Sequence, residues 1–96
     1  MNVSFLSPAQ IEFKEAVDFY NTQSEGLGFE FANEVRNTVQ RIVEYPQAWP
    51  HISKRTRRCR CIRFPYGVIY QIRREEILVI AIMNLHRKPD YWQNRL

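Results

Sequence analysis

The stretch Ile77-Leu78-Val79-Ile80-Ala81-Ile82-Met83 constrains the fold more than any other. It is far shorter than the about 20 apolar residues a membrane-crossing helix needs. It is also too uniform for a strand with one wet face, where apolar and polar residues alternate. An unbroken run of this kind fits a central strand covered on both faces. The chain must then supply neighbours for both edges of that strand and a layer for each side. With 96 residues, a single domain over 1–96 with one modest core is the expected organisation.

The rest of the chain offers those parts in order. Val3 and Phe5 share a face in a short first strand spanning Asn2 to Leu6. Ser7 reads as a helix N-cap, Pro8 as the first helical residue, and Gln10 as the return partner of a capping box. Ala9, Phe13, Ala16, Val17 and Tyr20 then mark one face of a helix, with Glu12, Glu15 and Asp18 mostly elsewhere. A break at 21–26 leads into a second helix from about Leu27 to Tyr45. Its stripe is Phe31, Val35, Val39 and Ile42, and Pro46 ends it. Trp49, in the proline-flanked loop that follows, is expected to plug the edge of the core. Strand two spans about Arg57 to Phe64, and Pro65-Tyr66-Gly67 turns with Gly67 at positive φ. Strand three runs from Val68 to Arg73, and Arg74-Glu75-Glu76 leads into the central strand. Pro89 opens a short terminal segment holding Tyr91 and Trp92. The expected fold is α+β: an N-terminal strand and an antiparallel helical hairpin on a mostly antiparallel, three- to four-stranded twisted sheet. The far face of that sheet would be concave and basic, partly closed by the C-terminal segment.

Charge is divided along the chain. Residues 1–50 carry three basic side chains against seven acidic, a net of −4, while residues 51–96 carry eleven against three, a net of +8. The basic half includes Lys54, Arg55, Arg57, Arg58, Arg60 and Arg63 with no acidic residue among them. Such a run suits nucleic acid or an acidic protein segment, and it also suits a solvated face that keeps a sheet edge from pairing. Arg58 and Arg60 fall on one face of strand two, Cys59 and Cys61 on the other, and Tyr66, Tyr70 and Tyr91 are near enough in sequence to offer base stacking. The two cysteines, two residues apart on a strand, make a strained disulfide and a poor zinc signature; small, buried and reduced is the expected state. The chain shows no signal-peptide pattern, so a cytoplasmic location is expected, with no membrane association.

Two groups of residues could carry chemistry. His86, Arg87 and Tyr91 follow the central strand, and Arg63 ends the basic run. RNA cleavage by 2′-hydroxyl attack needs a base, an acid and cations on the phosphorane; His86 or Tyr91 could move protons while Arg63 and Arg87 hold charge. The same residues fit plainer roles, His86 as a strand-end cap and Tyr91 with Trp92 as anchors of the terminal segment. No metal-ligand cluster and no Gly-rich phosphate loop is present, so no metal or nucleotide cofactor is expected.

Taken in sequence, Phe13-Lys14-Glu15-Ala16-Val17-Asp18-Phe19-Tyr20, Leu27-Gly28-Phe29-Glu30-Phe31, Pro46-Gln47-Ala48-Trp49-Pro50, Arg63-Phe64-Pro65-Tyr66-Gly67-Val68-Ile69-Tyr70 and His86-Arg87-Lys88-Pro89-Asp90-Tyr91-Trp92 resemble the RelE/ParE superfamily of type II toxin–antitoxin toxins. The resemblance covers nearly the whole chain. It implies a bacterial growth-inhibiting toxin neutralised by a cognate antitoxin, whose acidic C-terminal segment would wrap the basic sheet and helices, within a higher-order hetero-oligomer. One branch cleaves mRNA on the ribosome without a metal; against its pattern Arg63, Arg87 and Tyr91 match, and Lys54 is the one candidate for its lysine pair. The other, ParE-like branch inhibits DNA gyrase, and Phe64-Pro65-Tyr66 with Pro89-Asp90-Tyr91-Trp92 look more like that side. The resemblance thus favours gyrase inhibition, with ribosome-dependent mRNA cleavage as the alternative. A non-toxic basic binding module is the third reading.

Overall fold

In the computed structural model, which describes residues 1–96, the apolar run lies in strand β4, Glu76–Asn84. The other elements are β1 (Asn2–Phe5), α1 (Ser7–Gln23), α2 (Leu27–Glu44), β2 (Arg57–Arg60), β3 (Tyr66–Arg73) and a terminal 3-10 turn, Tyr91–Arg95. The sheet order is β1-β4-β3-β2, so β4 is central as its composition requires. β1 pairs with it in parallel, and the other pairings are antiparallel.

A bulge inside β4 divides its side chains between the two faces. Ile69 pairs with Ala81 and Tyr70 with Val79, which leaves Ile80 as the extra residue. Ile77, Val79 and Ile82 therefore join the core under the helices, with Val68, Tyr70, Cys59, Cys61, Phe31, Val35 and Ile42. Ile80, Ala81 and Met83 face the other way and pack with Ile69 under Trp92. The far face is consequently apolar at its centre, and the expected concave basic surface does not form there. A sheet with apolar side chains on both faces needs a cover on both, and Trp92, 1% exposed, supplies the second one.

The helical hairpin closes on a glycine. A Cβ at Gly28 would sit 2.1 Å from the Val17 carbonyl oxygen, so only glycine allows α2 to approach α1 this closely. The Gly28 amide donates to Asn21 Oδ1 at 2.7 Å across the same junction.

Several local expectations are corrected. Ser7 is already helical and caps nothing; the preceding residue, Leu6, gives its amide to the Val79 carbonyl, so the chain passes from sheet ladder to helix without room for a capping box. α2 ends one residue early, at Glu44. β2 is shorter than expected because the amide of Ile62 donates to the Glu34 carboxylate at 2.6 Å and is drawn toward α2. Gly67 lies within β3, and the positive φ angles belong to Gly26 (84°) and Arg74 (54°). What Gly67 provides is space, since a Cβ there would lie 3.2 Å from Arg58 Cγ. The β3–β4 turn is Arg74-Glu75 alone, with Glu76 paired to Arg73. Trp49 does pack half-buried against the core, with the Arg41 guanidinium 5.8 Å from its ring centre. Both cysteines are buried free thiols.

Candidate functional site

β1 stops at Phe5, opposite Val79, so the second half of β4 has no strand along that edge. Its backbone groups still need partners. Glu12, one-third of the way along α1, supplies one: its Oε1 accepts from the Ile82 amide at 3.1 Å. Arg95, in the terminal turn, supplies another by donating to the Ile80 carbonyl at 3.0 Å. The two side chains meet in a two-pronged ion pair, Nη1 to Oε1 and Nη2 to Oε2, both 2.8 Å. Their side chains are only 14% and 17% exposed.

Tyr91 and Arg87 belong to this cluster. The Tyr91 hydroxyl donates to Glu12 Oε2 at 2.6 Å. Burial, and then the bond to the Glu12 carboxylate, pushes the phenol far above its ordinary pKa, so it keeps its proton. Arg95 is raised as well, chiefly by its hydrogen bond to Glu12. The Arg87 guanidinium lies 4.0 Å from the Tyr91 ring centre and 3.8 Å from Glu12 Oε2. A groove of about 250 Å³ opens beside them, between α1 and β4, bordered by Phe19, Tyr66 and Asn84.

The other two expected proton and charge carriers stand apart. His86 is exposed, and its backbone amide donates to Asn84 Oδ1, so the side chain that caps the strand end is that of Asn84. Arg63 pairs with Glu30 on α2 at 2.5 Å and lies over the Phe64 ring. It shares no hydrogen-bond or ion-pair partner with Arg87 or Tyr91. Glu12 is the residue sequence reading passed over. Its signal is weak, one acidic residue on a helix, because its partners lie at the other end of the chain.

The basic run is also divided. Arg57 clamps the loop before it, donating from Nη1 to the Gln47 and Trp49 carbonyls at 2.9 and 2.8 Å. Arg58 is half-buried beside Gly67, and burial lowers its pKa from the usual arginine value, with Arg60 adding to the effect. Arg60 is exposed, as are Lys54 and Arg55. The tyrosines expected to stack on bases are occupied. Tyr70 is fully buried and donates to the Pro46 carbonyl at 2.6 Å, and Tyr66 packs against Phe31 with ring centres 4.8 Å apart.

The model of a family described as "ParE toxin of type II toxin-antitoxin system, parDE" matches residues 3–91. Among solved structures, the chain is similar to one titled "Chromosomal ParDE TA system from P. aeruginosa", with a TM-score of 0.72. Identity there is 14%, over 90% of this chain and 97% of that one, a likeness of fold. No curated protein sequence matches the chain. No helix is long and apolar enough to cross a membrane.

Proposed function

The chain belongs to the ParE toxin family of type II toxin–antitoxin systems, and from that premise we propose that it arrests bacterial growth by inhibiting DNA gyrase and is neutralised by a cognate antitoxin. The Tyr91 hydroxyl carries the choice of target. A nuclease would need that group free to exchange a proton with substrate, and it is bonded to Glu12 with its proton held. Arg63, the cation that would complete such a site, is paired on α2.

The antitoxin has two features to match. An apolar groove of about 510 Å³ runs over the helical hairpin beside Phe13, Val17 and the exposed Phe29, with Lys14 and Arg36 on its border. An acidic segment with an apolar face suits both the groove and the cations at its border. The test is plasmid supercoiling by purified gyrase. Added toxin is expected to block it, and toxin mixed first with antitoxin is expected to leave it intact. Normal supercoiling by gyrase in the presence of a protein that still arrests growth would contradict the proposal.

A further inference from the structure

The cations that the Glu12 cluster does not consume gather elsewhere. His51, Arg55, Arg57 and Arg73 line a cleft of about 380 Å³ at the β2 end of the sheet. An adjoining hollow of about 490 Å³, lined by Lys54, shares Arg55 and Arg73 with it, so the two form one trough. None of Lys54, Arg55, Arg57, Arg73 and His51 takes part in the chain's salt bridges, and no Asp or Glu side chain lines either part.

The floor of the trough is built and fixed. Gln71 is 6% exposed; its Nε2 donates to the buried Thr56 hydroxyl at 3.0 Å, and its Oε1 accepts from Arg73 Nε at 2.9 Å. That bond holds the Arg73 guanidinium and leaves its two terminal nitrogens without an internal partner. Arg57 is held likewise through Nη1, which leaves Nη2 free. Two arginines anchored from behind keep donors that can meet an oxyanion.

We infer that this trough binds the phosphate backbone of duplex DNA without reading its sequence. Its lining selects that ligand from the other polyanions. Ile72 and Leu96 are its only apolar residues, so an acidic peptide that folds on binding finds no anchor there, unlike the groove beside Phe29. No Phe, Tyr or Trp lines it, so it lacks the large stacking platform single strands use. Arginine and lysine with few apolar companions and no Phe, Tyr or Trp are the residues of phosphate contact. A toxin that holds duplex DNA here could meet its target where that target is bound to DNA. Gyrase does not enter the test below, so failure of one proposal leaves the other standing.

The test is fluorescence anisotropy of a short labelled duplex DNA of arbitrary sequence, titrated with the full chain between about 50 and 200 mM salt. Wild-type protein is expected to bind with an affinity that falls linearly on a log–log plot against salt. Arg55→Ala, at an exposed position with no internal partner, is expected to weaken binding and reduce the slope by about one. Arg73→Ala should do the same and add to it, whereas Lys88→Ala, outside the trough, should leave the slope unchanged. Absence of binding at the lowest salt would overturn the inference, as would a slope unaltered by Arg55→Ala. So would a polyglutamate peptide that binds more tightly than the duplex and loses affinity in the same variants.

Discussion

Two regions of the molecule each gather arginines around one side chain and end in opposite states. Around Glu12, Arg87, Arg95 and Tyr91 converge on one carboxylate that also serves the backbone of β4. Around Gln71, Arg55, Arg57, Arg73 and His51 converge on no carboxylate at all. In the first region the positive charge is consumed in closing the fold. In the second it is left over. An arginine thus carries no function in itself, and the presence or absence of an internal acceptor decides what it can do.

The largest effect should come from removing the shared acceptor. Glu12→Ala leaves Arg95 uncompensated and the Ile82 amide and Tyr91 hydroxyl unpaired, and should cost about 3–5 kcal/mol in urea unfolding. A cost below that expected of an exposed pair would erase the distinction between the regions. Arg55→Ala, in the open region, should leave unfolding within about 0.5 kcal/mol of wild type.

Alkaline titration sharpens the same contrast. Burial pushes the Cys59 thiol up to about 11 and the Tyr70 phenol up to about 12. In the unfolded chain these groups lose their protons nearer their ordinary values of 9.0 and 10.0. Above pH 9 the unfolded state therefore binds fewer protons than the folded one, and stability should fall as pH rises from about 9 to 12. Thermal unfolding followed over that range checks it. A flat profile would mean the buried side of the sheet is more open than described.

Two smaller effects follow. Tyr91→Phe removes one hydrogen bond to a carboxylate that keeps its other partners, and should cost about 1.5 kcal/mol. Arg63→Ala breaks an exposed pair with Glu30 and should cost less than about 1 kcal/mol. If Arg63→Ala destabilised the fold as much as Glu12→Ala, exposure would not be the variable that separates the two kinds of arginine.

What could be read from the sequence was what depends on local pattern. The uninterrupted run from Ile77 to Met83 identified the central strand, and the stripes through Phe13 and Phe31 identified the two helices. The alternation of Arg58 and Arg60 against Cys59 and Cys61 also holds in the fold. The main failures have distant causes. Glu34 on α2 shortens β2, and Val79 on β4 takes the amide that would have left room for a cap at Ser7. The bulge at Ile80 matches no turn residue, because it arises from pairing with β3. Glu12 was least legible of all, since its partners Tyr91 and Arg95 lie 79 and 83 positions away. His86, Arg87 and Tyr91 were visible as a cluster in sequence, but only the acceptor beneath two of them shows that their charge and proton are committed.

Under the proposed function Tyr91 serves the fold, and growth arrest comes from gyrase inhibition rather than from RNA cleavage. The most direct test is plasmid supercoiling by gyrase with Tyr91→Phe protein set beside wild type, at a temperature where both are folded. The two proteins are expected to inhibit supercoiling at the same concentration. Supercoiling untouched by either protein, with growth arrest lost in the folded Tyr91→Phe variant alone, would contradict the proposal and return the hydroxyl to catalysis.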